Sequence, residues 1–131
     1  MGEHIERLGI KPDLVLSSPA KRAKKTAKIV AHKLGYPEER IEWLDRIYEA
    51  SVQTLLYTVC QLPKEAKRVM IVGHNPALTM LANILGDVAI DNIPTAGIVG
   101  IAFDSSDWHE ACRMQGHTIL FDYPKKVKGL S

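Results

Sequence analysis

The chain has 131 residues, 46% of them hydrophobic and 24% charged, with 17 Lys and Arg against 15 Asp and Glu. That length suits one domain with a real core, and that composition excludes wholesale disorder, a collagen-like repeat and a low-complexity chain. A formal net charge of +2 is too small to imply a nucleic-acid or membrane surface, so any meaningful positive charge must be local. The longest apolar runs, 69–72 and 98–103, fall far below the roughly 18 residues that span a bilayer. The charged start, Met1-Gly2-Glu3-His4-Ile5-Glu6-Arg7, lacks an apolar signal core, which predicts a cytoplasmic protein. Cys60 and Cys112 form neither a CxxC pair nor a Cys/His ligand cluster. Two reduced, buried thiols are expected, without zinc or a disulfide framework.

In chain order, Ile5 and Leu8 before Gly9 read as the last turns of an amphipathic helix with a glycine cap. Leu14-Val15-Leu16 is wholly apolar, the pattern of a strand buried on both faces. Ser18 then serves as N-cap and Pro19 as first residue of a helix whose Ala23, Ala27, Val30, Ala31 and Leu34 recur at helical spacing until Gly35-Tyr36-Pro37. Residues 41–44 suggest a second short strand. Val52, Leu55, Leu56, Val59 and Cys60 mark a helix opened by Ser51 and closed near Pro63. Val69-Met70-Ile71-Val72 is another apolar strand, Gly73-His74 a tight turn, and Asn75-Pro76 the cap of a helix carrying Leu78, Leu81, Ala82 and Leu85. Residues 98–103 and 118–121 read as strands, with a turn at 104–107 and a third short strand within 108–114. Strands alternating with helices predict an α/β layer sandwich whose largely parallel sheet ends in an antiparallel edge, with ligands beyond the carboxyl ends of the strands.

The two strand–turn–Pro–helix junctions are where chemistry can sit. The first places Lys21, Arg22, Lys24, Lys25 and Lys28 early in a helix, where the macrodipole favours anions. A solvated lysine face and an anion-binding mouth both fit, but Arg22, between small neighbours, has the planar fork that grips phosphate. At the second junction His74 follows a buried strand and Gly73, so its imidazole emerges beside a helix N-terminus. His4, His32, His109 and His117 read as ordinary surface or core histidines. Glu49, just ahead of a helix, either favours the dipole or acts as a general acid. Thr95, before a strand, is an ordinary turn residue or a hydroxyl offered to ligand. No P-loop, GxGxxG, HExxH or GxSxG occurs.

Together, Leu16-Ser17-Ser18-Pro19 with Arg22-Ala23 and Thr26-Ala27, Tyr48-Glu49-Ala50, Val72-Gly73-His74-Asn75-Pro76, Asp91-Asn92-Ile93-Pro94-Thr95 and Phe121-Asp122-Tyr123-Pro124 resemble the SixA-type phosphohistidine phosphatases of the histidine phosphatase, phosphoglycerate mutase-like superfamily. The resemblance covers essentially the whole chain. It implies a three-layer α/β sandwich in one domain over residues 1–131, no metal or cofactor, and transfer of a phosphoryl group to a histidine before water releases it. It makes Arg22 and His74 the second arginine and second histidine of the phosphate pocket, brings Glu49 near the family's acid, and adds Ser18, Asn75 and Thr95 as phosphate-binding positions. The implied partner is a protein carrying phosphohistidine, such as a phosphotransfer domain, and neither nucleic acid nor membrane.

The family's nucleophilic histidine and first arginine lie in an Arg-His-Gly motif after its first strand, and this sequence contains no Arg-His pair. Met1 falls where the family is inside its first helix, so that strand, the phosphate-binding turn and most of the helix are expected to be absent, and His4 does not replace them. The 131-residue form is therefore expected to be inactive or nearly so. A form lacking an internal strand is expected to dimerise, swap or aggregate. The alternative is a non-catalytic module that binds phosphorylated protein, and a purely structural interaction protein is a third reading.

Overall fold

The structure is a computed structural model that describes residues 11–93 and 98–122. Its elements are β1 (Leu14–Ser17), α1 (Lys21–Leu34), β2 (Glu42–Trp43), α2 (Val52–Cys60), β3 (Val69–Val72), α3 (Ala77–Leu85), β4 (Ile98–Ala102), α4 (Trp108–Ala111) and β5 (His117–Asp122), with 3-10 turns at Glu38–Arg40 and Asp45–Ile47. The fold class is α/β with a mostly parallel sheet. The helix remnant expected at residues 5–9 lies outside the described residues. The chain divides into two compact units, Met1–Ala50 with Glu65–His74 and Ser51–Lys64 with Asn75–Ser131.

The first unit is built on a parallel sheet of order β2-β1-β3. Leu14 pairs with Val69 and Ser17 with Val72 on one side, and Leu16 pairs with Glu42 on the other. Central β1 is the most deeply buried strand, with Val15 1%, Leu16 3% and Ser17 0% exposed, as its unbroken apolar run requires. One face of α1 recurs as Ala23, Ala27, Ala31 and Leu34, all buried. Alanines let the helix axis lie close to the strands, and Ala27 and Ala31 join Val15, Tyr36 and Ile41 in a core flanked by Trp43, Met70 and Val72. Gly35 ends the helix at φ 74°, and the next amide, of Tyr36, returns to the Ala31 carbonyl; glycine takes this left-handed conformation without a Cβ penalty. Asp13 fastens the start of β1 to the segment before β3, its Oδ2 accepting the amides of Lys67 at 2.9 Å and Arg68 at 3.0 Å. Those amides hold its carboxyl below the usual carboxylate range.

The second unit relies on side chains. Ser51 caps α2 as expected, its Oγ accepting the Thr54 amide, and α2 packs on α3 and α4. Asn75 caps α3 through the Thr79 amide and hydroxyl and donates to the Ile93 carbonyl at 2.6 Å. Thr79, 6% exposed, also accepts the Ile93 amide, and Asn83 bonds both the amide and carbonyl of Ile90. Strands β4 and β5 pair antiparallel, with a register shift between Gly100 and Ile101.

Four expectations change. Cys60 and Cys112 are not reduced thiols but a disulfide, with Cα atoms 5.3 Å apart, because Cys60 ends α2 and Cys112 follows α4, two helices that pack together. The stretch beginning at Trp108 is a short helix rather than a strand: Asp107, read as part of a turn, caps it through the His109 amide. The antiparallel pair forms its own two-stranded ladder rather than an edge of the parallel sheet. Finally, Ser18 and Pro19 precede α1 instead of opening it. Ala20 is still extended at ψ 144°, and the Ser18 amide continues the ladder to the Val72 carbonyl at 2.9 Å.

Candidate active site

The register between β1 and β3 ends both strands at the same level, Ser17 opposite Val72. The residues just beyond therefore emerge side by side at the carboxyl edge of the sheet, where ligands of parallel α/β sheets bind. Ser18 and His74 meet there, Ser18 Oγ lying 3.1 Å from His74 Nε2. Ser18 is 0% exposed, and its oxygen also accepts the Ala20 amide at 3.1 Å. Donation by the hydroxyl requires an unprotonated Nε2 and leaves the ring proton on Nδ1; protonation at Nε2 reverses the bond, and the oxygen then accepts twice. Ser17 is equally buried, and its hydroxyl donates to the Ser18 carbonyl at 2.9 Å.

The Tyr48 ring also stands against the imidazole, edge to face, with centroids 6.4 Å apart and planes at 83°. Tyr48 is 52% exposed, so the histidine is framed by a buried hydroxyl and a solvent-facing phenol. Edge-to-face rings contribute about 0.5–1.5 kcal/mol beyond their buried area.

Arg22 lies in the first turn of α1, one turn after Ser18 in the chain, and is exposed. Among the described residues it makes no hydrogen bond or ion pair. The first turn of α1 contains no acidic residue, and its N-cap supplies no side-chain hydrogen bond. Amides of that turn have no intrahelical partners, and its cations each oppose the dipole by about 0.3–1 kcal/mol. Arg22 and these amides suit an oxyanion.

Glu49, also exposed, sits in the turn after Tyr48 at φ 50°, the one non-glycine residue with positive φ among the described residues. An L-residue there costs about 1–2 kcal/mol, and such outliers gather at functional sites. Its carboxylate makes no hydrogen bond or ion pair among the described residues. The Asn75 side chain is occupied in capping α3 and holding Ile93. Thr95 lies outside the described residues. The structure thus brings Ser18 directly to His74, places Arg22 one turn along the chain from Ser18, and sets Glu49 beside a residue touching His74. The role of Tyr48 was missed: its position before Glu49 was a weak signal, and only the folded turn carries its ring to the imidazole. Among the described residues no cluster of His, Cys, Asp and Glu is arranged to hold a metal, and no helix is long and apolar enough to cross a membrane.

No family model and no curated protein matches the chain. Solved structures do. A candidate phosphohistidine phosphatase SixA from Agrobacterium tumefaciens is 26% identical, with a TM-score of 0.75 over 94% of this chain and 75% of that one. The protein histidine phosphatase SixA solved with tungstate is 19% identical, with a TM-score of 0.74 over 99% of this chain and 78% of that one. A candidate phosphohistidine phosphatase SixA from Nakamurella multipartitia is 16% identical, with a TM-score of 0.66 over 94% and 77%. The chain is thus similar in fold to these SixA structures over nearly its whole described length, and it spans about three quarters of theirs.

Proposed function

We propose that the site binds the phosphoryl group of a phosphohistidine carried by a protein. The observation that supports this reading above all is the Ser18–His74 contact at the shared carboxyl edge of β1 and β3, with Arg22 one turn further along the chain. In this reading the Arg22 guanidinium holds two phosphoryl oxygens, His74 donates to a third, and Ser18 orients the imidazole. With the family's nucleophilic histidine present, Glu49 would supply the proton that a departing imidazole needs as the N–P bond breaks and the phosphoryl group passes to that nucleophile. Asn75 and Thr95 are carried in the proposal as further phosphate-binding residues.

Counted as one charge-assisted contact each, Arg22 and His74 contribute roughly 3–6 kcal/mol, and association costs at least ~4 kcal/mol. Free phosphate should therefore bind weakly, and the carrier protein must add contacts. The family route also needs a nucleophilic histidine that accepts the phosphoryl group and yields it to water. These 131 residues contain no Arg-His pair, so they bind the group without turning it over. The same absence favours a second reading, a non-catalytic phosphoprotein-binding module. Nucleotides preceding the Met1 codon discriminate: an apolar strand ending in Arg-His restores the enzyme, and a stop codon favours the module.

Titration calorimetry with tungstate tests the site. Arg22→Ala and His74→Ala should each weaken binding about 10–100-fold, as loss of a charged hydrogen bond predicts. Unchanged affinity in both variants would overturn the reading, and robust hydrolysis of a phosphohistidine protein by the 131-residue chain would overturn the absence of turnover.

A further inference from the structure

We infer that the exposed basic face of α1 is the docking surface for an acidic patch on the phosphate-carrying protein. The inference rests on the phosphate reading and adds the surface chemistry of its partner.

Charge in this chain is segregated. Helix α1 has the sequence KRAKKTAKIVAHKL. It holds Lys21, Arg22, Lys24, Lys25, Lys28 and Lys33 without one Asp or Glu, whereas acids outnumber cations in the remainder of the chain. A face that is merely solvated mixes signs, because i,i+4 pairs of opposite charge stabilise a helix and like pairs oppose it. Here Lys21 and Lys25 are a like pair at that spacing, and Lys24 and Lys28 are another. Several of the cations also crowd the helix end whose dipole repels them. Helix stability accounts for none of this.

Local contacts absorb part of the charge. Lys24 Nζ stands 5.5 Å from the Trp43 ring centroid, and Lys28 lies 3.9 Å from Glu38. Lys21, Arg22 and Lys25 are exposed and make no ion pair among the described residues. The opposite face is anchored in the core through Ala27 and Ala31, 0% and 1% exposed, so the cations project from a rigid element. At 1.5 Å per residue, the stripe from Lys21 to Lys28 runs about 10 Å along the helix, starting in the turn that carries Arg22.

That continuity selects the partner. A ligand whose phosphoryl group reaches Arg22 lays its neighbouring surface along Lys21, Lys25 and Lys28, and carboxylates there complement them. A bilayer fits poorly, because the apolar side of α1 is already buried under the sheet and cannot insert. Nucleic acid is disfavoured by the net negative remainder of the chain.

The test uses the full chain, a phosphotransfer domain with an acidic surface in phosphohistidine and unphosphorylated forms, and Lys21→Glu/Lys25→Glu. At low salt the double variant should bind both forms about tenfold more weakly, chiefly through association rate. The difference should shrink as salt screens the charges, and at high salt the tungstate affinity of the double variant should match the parent's. Glutamate at the helix start favours the dipole, so an unaltered melting temperature separates lost docking from unfolding, and Lys21→Arg/Lys25→Arg should bind as the parent does. Unchanged affinity of the double variant for the domain overturns the inference, as does tighter binding of the parent to duplex DNA or phosphatidylserine vesicles. Failure of both Arg22→Ala and His74→Ala to weaken tungstate binding sinks the phosphate reading instead, and the unphosphorylated domain still reports on the basic face.

Discussion

In the first unit, three parallel strands and an alanine-faced helix are joined mainly by backbone ladders and close apolar packing. In the second, Asn75, Thr79 and Asn83 bind the backbone around Ile90 and Ile93, and a disulfide joins two helix ends. The contrast explains where chemistry is available. A unit held by its ladders leaves polar side chains near the strand ends available: Ser18 and His74 bond each other, and Arg22 in the first turn of α1 makes no hydrogen bond among the described residues. A unit held by polar side chains has occupied them, as Asn75 illustrates. The two Pro junctions differ for the same reason: Ser18 turns its oxygen toward His74, whereas Asn75 turns its own into α3.

Removing the covalent tie should break this comparison most severely. For a closed loop of 52 residues, Cys60→Ser with Cys112→Ser should cost about 4 kcal/mol on the chain-entropy account, read as a lower urea midpoint. Hydrogen exchange should rise first in α2 and α4, with β1 protected longest. If β1 exchanges as early as α4, the two units do not stand on separate supports.

A matched pair of core substitutions sharpens the contrast. Thr79→Val leaves the Ile93 amide and the Asn75 oxygen short of a partner and should cost about 1–3 kcal/mol. Ala27→Leu crowds the helix against the sheet and should cost about 1–3 kcal/mol by overpacking. Thermal melts check both. A tolerated Ala27→Leu would mean that close helix–sheet approach does not support the first unit, and a tolerated Thr79→Val that the polar network does not support the second.

The smallest expected effect is shared by both units. Asp13 accepts the Lys67 and Arg68 amides and Asp87 the Thr118 amide, and these bonds hold each carboxyl below its ordinary value. A lowered folded value stabilises the fold fully above the ordinary carboxylate pKa, about 3.9. That contribution is lost as pH falls from there through the folded value. Asp13→Asn and Asp87→Asn should each flatten the acid limb of a stability–pH curve below about pH 4 and lower stability slightly at pH 7. Both sites are exposed, so an acid limb as steep as the parent's in both variants would show that the amide bonds contribute nothing measurable.

Much was legible before folding. The alanine period of α1, its glycine stop, the Ser51 and Asn75 caps and the apolar runs of β1 and β3 all appear in the sequence, and the strand–turn–helix junctions nominated Arg22, Ser18 and His74. The site was less legible. Tyr48 had no stated role, and Ser18 was assigned to a helix cap when its oxygen faces an imidazole 56 positions away.

Periodicity, capping and turn chemistry act within a few residues, so the sequence alone determined most helices, the apolar strands β1 and β3 (of which only β1 is deeply buried) and the identity of the chemically suited side chains. Tertiary structure decided which distant groups meet: the Cys60–Cys112 bond, two separate ladders in place of one, a helix from Trp108, and the register that sets Ser18 against His74. Such pairings depend on how packed elements close long loops, and no local pattern encodes that closure.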